Sequence, residues 1–129
     1  MAADTSMPAT EKHEIAATIE RVLTQYFDAR PDRDYIDRHL ARVAAWASRH
    51  GVERDRILLG EFGALRTDER YLAAAEPDRA RYIRDVRESC ESAGMPWTFW
   101  NFFDGMGLTT DDRTHAFDPA IASALGLRP

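Results

Sequence analysis

One cysteine, one lysine and the absence of any long apolar run set the first bounds on this chain of 129 residues. The single thiol, Cys90, excludes an internal disulfide and any cysteine-based zinc cluster. No stretch approaches the roughly 18 apolar residues of a membrane span. Positive charge is also short, with 17 Lys and Arg against 22 Asp and Glu and a formal net charge of −5. A domain that binds duplex nucleic acid shows a basic stripe, so such a partner is disfavoured. Only Lys12 among the basic residues is lysine, a coding bias that says nothing about activity. Met1 to Lys12 carries Asp4, Pro8 and Glu11 and no apolar core region, so no secretory signal is expected and localisation stays open. The length fits one domain.

The pattern along the chain predicts helices separated by short apolar segments. Residues 1–10 are small, polar and proline-bearing and are expected to be a flexible lead-in to a unit over 11–129. Ile15, Ile19, Val22, Leu23, Tyr26 and Phe27 trace one face of an amphipathic helix, broken at Arg30-Pro31-Asp32. A second helix is predicted over about 34–49, with Gly51 as its stop and with His39 and His50 in surface or capping roles. Ile57-Leu58-Leu59 reads as a strand buried on both faces, ending at Gly60-Glu61-Phe62-Gly63. Residues 66–76 read as a loop or irregular helical stretch. Pro77 then opens a helix to about Ala93, with Ile83, Val86 and a buried structural Cys90 inward. The Arg and Asp runs at 30–38 and 78–87 read as solvated helix faces. An aromatic strand over 95–102, the loop Asp104-Gly105-Met106-Gly107 and a short helix from Pro119 to Leu125 complete the order. Helix, strand, helix, strand, helix is the grammar of parallel βα units. Two parallel strands cannot bury both faces alone, so the chain reads as the tail of a larger α/β fold.

Two segments carry chemistry. Glu61 is a carboxylate at the C-terminal end of a predicted parallel strand, where such folds place reactive groups, and its flanking glycines permit a sharp turn and close ligand approach. Alone it reads more readily as a solvated or salt-bridged strand-end residue than as a catalytic one. Trp97, Phe99, Trp100, Phe102 and Phe103 put five aromatics within seven residues. Trp97 and Phe99 are expected in the core. Trp100, beside polar Asn101 and ahead of the glycine-rich loop, suits a platform for a sugar ring.

The run Ile57-Leu58-Leu59-Gly60-Glu61-Phe62-Gly63-Ala64, the spacing to Trp97-Thr98-Phe99-Trp100-Asn101-Phe102, and Gly107-Leu108 together resemble the end of glycoside hydrolase family 5, the cellulase-type (β/α)8 barrels. The likeness covers roughly residues 34–127. It implies the C-terminal portion of a TIM barrel, preceded here by an extra amphipathic helix. It further implies that Glu61 ends the seventh barrel strand as the catalytic nucleophile. Trp100 then lines the sugar subsite at the cleavage point, and Asn101 and Asp104 sit where some members contact sugar hydroxyls. The implied activity is retaining hydrolysis of β-glycosidic bonds in a polysaccharide or oligosaccharide, with no cofactor and no metal. The family is commonly secreted.

The chain departs from that pattern. The family's acid/base glutamate follows an asparagine on the fourth strand, and this sequence has no asparagine before position 101. Glu76-Pro77 lies after Glu61, so order rules it out as that acid. The family's histidine and tyrosine near the sixth strand are missing too. A partial barrel of this kind is expected to be inactive alone on natural glycans, and to meet a complementary barrel fragment or self-associate. The competing reading is a small non-catalytic α/β interaction module, in which the first helix caps the open sheet edge. A phosphate-binding protein is weak, because Gly105-Met106-Gly107 lacks the helix start and following glycine of a phosphate cradle.

Overall fold

The computed structural model describes residues 7–67, 72–111 and 113–127. Its elements are α1 (Ala9–Asp28), α2 (Arg33–His50), a 3-10 turn (Arg54–Arg56), β1 (Leu59–Phe62), α3 (Glu76–Ala93), β2 (Trp97–Phe99), β3 (Thr109–Asp111), β4 (Ala116–Phe117) and α4 (Pro119–Ala124). Residues 1–6 of the expected lead-in lie outside the described residues, and Ala9 already begins helix.

Local signals account for the helix bounds. Asp32 caps α2 by accepting a 3.0 Å hydrogen bond from the Tyr35 backbone N–H. Gly51 and Gly94 end α2 and α3 in the left-handed conformation, at φ 65° and 71°, a conformation that costs glycine nothing. Asp118 caps α4, accepting from the backbone N–H groups of Ala120 and Ile121.

α3 is the spine. It packs against α2 on one side and α4 on the other, and it touches β1. Ile83, Val86 and Cys90 from α3 meet Phe62, Leu108, Ile121 and Leu125 in one core, with Ile36, Leu40, Trp97 and Phe99 packed against it. Ile83 and Ile121 are wholly buried, each worth roughly 1.5–3 kcal/mol in transfer free energy. The expectation that Trp97 and Phe99 serve the core matches this packing.

β1 and β2 pair in parallel, with Leu59 opposite Trp97 and Phe62 opposite Phe99. The register advances three residues on β1 for two on β2, so Gly60 and Glu61 together face Thr98 in a bulge. The described strands form two two-stranded sheets and close no barrel.

The structure corrects five expectations. The first strand begins at Leu59 rather than Ile57 and is not buried on both faces: Leu58 is 56% exposed, and Gly60 and Glu61 face solvent. The aromatic strand is only Trp97–Phe99, because the chain turns away at Trp100. A small antiparallel pair, β3–β4, fills the stretch before α4, where no strand was predicted. The run 78–87 is not a uniformly solvated face, since Arg79 is 2% exposed. Arg79, Ile83, Val86 and Cys90 fall at spacings of four, three and four, so the arginine lies on the apolar face of α3. Finally, α1 caps no sheet edge and buries none of its residues.

Burial, and next the charge of Glu91, push the Cys90 thiol above its ordinary value. Its alkylation at mildly alkaline pH is therefore expected to follow global unfolding, with the labelling rate in a urea series tracking the loss of ellipticity. Native-state labelling as fast as a free thiol would contradict this packing.

Candidate active site

The ends of β1 and β2 are held in close register. The Trp100 backbone N–H donates to the Phe62 carbonyl at 2.8 Å, and the Thr98 hydroxyl donates to the Gly60 carbonyl across the bulge. Gly63 follows directly. A Cβ there would lie 2.1 Å from the Trp100 carbonyl oxygen and 3.1 Å from the Met106 side chain, so only glycine lets the two segments meet. The peptide bond between Trp100 and Asn101 is cis.

Beyond this junction the chain forms the turn Asp104–Gly107. Asp104 adopts φ 74°, and its carboxylate accepts from the Gly105 N–H at 2.7 Å. Gly107 donates back to the Asp104 carbonyl at 2.8 Å, and a Cβ on it would lie 2.5 Å from the Phe103 carbonyl carbon. Trp100, Asn101 and Asp104 thereby share one cleft of about 340 Å3 with Leu65, Gly105 and Met106. Trp100 is 48% exposed, while the Asn101 Oδ1 is buried with no hydrogen-bond partner among the described residues.

Glu61 stands beside that cleft rather than in its wall. Its position in the bulge leaves it exposed, and no described residue hydrogen-bonds or ion-pairs with it. The structure thus brings Trp100, Asn101 and Asp104 together and sets Glu61 one strand away, across the Phe62–Trp100 hydrogen bond. His39 and His50 are exposed on α2, remote in sequence from these residues. Among the described residues, no group of three His, Cys, Asp or Glu is placed to hold a metal ion. No described helix is long and apolar enough to cross a membrane.

Arg79 supports the site from below, a role the sequence reading missed. Its Nε donates to the Ala64 carbonyl at 2.8 Å, and its Nη2 donates to the Met106 and Gly107 carbonyls at 3.0 and 2.7 Å. Its Nη1 meets Asp118 at 3.3 Å. One buried guanidinium therefore ties the segment after β1, the glycine-rich turn and the cap of α4. Burial pulls Arg79 below its ordinary value, Asp118 opposes that, and Arg66 adds to the lowering. An arginine nevertheless stays charged at any working pH.

No protein-family model matches the chain. Over 70 residues the sequence is 27% identical to endoglucanase 3 of Fibrobacter succinogenes, a match that covers 54% of this chain and 9% of that protein. Among solved structures, a hyperthermophilic endo-beta-1,4-glucanase in complex with substrate is similar at 32% identity and a TM-score of 0.58. That match spans 73% of this chain and 27% of the other. The clostridial cellulose synthase subunit Z from Clostridioides difficile is similar at 30% identity and a TM-score of 0.60, over 72% of this chain and 28% of that one. The chain thus spans little more than a quarter of these structures.

Replacing Arg79 by Met strands Asp118 and three carbonyl acceptors and is expected to cost about 3–5 kcal/mol in urea unfolding. Asp118→Asn keeps the carbonyl contacts and should cost about 1–2 kcal/mol. Gly63→Ala must push back the Trp100 backbone and should cost about 1–3 kcal/mol. Equal effects from Arg79→Met and Asp118→Asn would show that the ion pair alone carries the arginine's contribution.

Proposed function

We propose that this chain is the nucleophile-bearing, C-terminal part of a retaining β-glycosidase of the family 5 type, a (β/α)8 barrel acting on a β-linked glycan. The observation that carries it is the exposed Glu61 near the C-terminal end of a parallel strand whose next segment meets Trp100 of the neighbouring cleft through Gly63. The similarity to endoglucanases supports the same reading, as does the small share of those chains that it spans.

In this reading the Glu61 carboxylate attacks the anomeric carbon while the glycosidic oxygen leaves, forming a covalent glycosyl-enzyme. The indole of Trp100 offers a flat apolar face to the sugar ring at the cleavage point. Asn101 and Asp104 present an amide and a carboxylate to sugar hydroxyls, and the unpartnered Asn101 Oδ1 is suited to accept from one. Release of the leaving oxygen needs a second carboxyl group about 5 Å from the first, to protonate it and then to activate water. The residues given hold no candidate for it in the family's order, so in this reading that group comes from outside them. Without that acid, turnover of unactivated glycans falls by about 10² to 10⁴ on this count alone.

A non-catalytic interaction module is the second reading. It drew on the first helix as a cap for the open sheet, and α1 buries no residue.

The test bypasses the missing acid. Incubation with a 2-deoxy-2-fluoro β-cellobioside bearing a dinitrophenyl leaving group should add one sugar to the intact mass, mapped to Glu61 and absent in Glu61→Gln. The same protein should release no detectable product from cellopentaose. A folded chain that forms no adduct, or forms it equally in Glu61→Gln, would overturn the assignment.

A further inference from the structure

We propose that α1 is a self-association helix, pairing antiparallel with α1 of a second copy of this chain. The idea is independent of the role of Glu61. α1 runs for 20 residues and buries none of them. Ile15, Ile19, Val22, Leu23, Tyr26 and Phe27 remain 41% to 68% exposed along it. Lys12, Ile15, Ile19, Val22 and Tyr26 recur at spacings of three, four, three and four, the repeat of a two-helix seam. Leu23 and Phe27 widen the stripe on one side. A soluble monomer rarely leaves so continuous an apolar surface open.

Area favours a second copy as the occupant. At roughly 100 Å² for each half-exposed large side chain, the six residues cover on the order of 600 Å² per copy. A symmetric pair then buries about 1,200 Å², the lower bound of a specific interface.

Charge selects the direction. A parallel pair would set Lys12 against Lys12 and align two like helix dipoles. In the antiparallel register that faces Ile19 with Val22 and Ile15 with Tyr26, the whole stripe is covered. Lys12 then comes beside Asp28 of the second copy, and the dipoles oppose. The pair is isologous, so it closes at two copies.

Sedimentation equilibrium of the full chain at tens of micromolar should give twice the chain mass. Ile19→Glu should halve it, while Ala17→Glu, the same charge on the opposite face of α1, and Leu58→Lys at the foot of β1 should leave it unchanged. Cysteines placed at both Ile15 and Tyr26 should give a covalent dimer on mild oxidation, and Ile15→Cys alone should not. Slow Cys90 labelling in each variant reports that the core is intact. A monomeric parent chain, a dimer that survives Ile19→Glu, or association lost only in Leu58→Lys would overturn the proposal. Ready cross-linking of Ile15→Cys alone would overturn the antiparallel register.

Discussion

The buried guanidinium of Arg79 is the constraint on which the functional end of this molecule depends. Its four acceptors come from three segments separated in sequence: Ala64 after β1, Met106 and Gly107 in the turn after β2, and Asp118 at the head of α4. None of those segments has a regular ladder to hold it. The Gly107 carbonyl would be an unsatisfied buried acceptor if the arginine left, the Ala64 and Met106 carbonyls part-buried ones, and the arginine would be an unpaired buried charge if they left. Mutual need of this kind fixes a geometry that apolar packing leaves loose. It also explains how a two-stranded sheet can present a defined cleft.

The sheet itself is underbuilt for its class. A parallel pair normally has helices on both faces and further strands at its edges. Here α3 covers one face, while Leu58, Trp100, Phe102 and Phe117 keep large apolar surface open. That exposure accompanies a chain that spans about a quarter of its structural neighbours. The bulge at Gly60–Glu61 matters more for this reason. With β2 as its one strand neighbour among the described residues, β1 takes its shape from Thr98 and from the contact of Gly63 with Trp100.

Helices were legible because their ends carry chemistry: Asp32 and Asp118 as caps, Gly51 and Gly94 as left-handed stops. The candidate-site residues stood out for a related reason, since Gly60-Glu61-Phe62-Gly63 and Trp100-Asn101 set a carboxylate or an indole among small or polar neighbours. Other features were not. The run Ile57–Leu59 suggested an interior strand, but hydrophobicity alone does not say whether anything covers a strand, and Leu58 is left in solvent. Thr109–Asp111 and Ala116–Phe117 are too short to show an alternation, and they pair because the turn at 113–115 returns the chain. Arg79 was hidden by its charge among neighbouring arginines. Its spacing to Ile83, Val86 and Cys90 was the signal, and weighing position above residue type would have found it.

The scarcity of lysine has a practical corollary. Lys12 is the only side-chain amine, and it stands on α1, far along the sequence from β1, β2 and the Trp100 cleft. Amine-directed coupling to a bead or sensor chip therefore has one side chain to find, and a molecule tethered through it is held by its first helix.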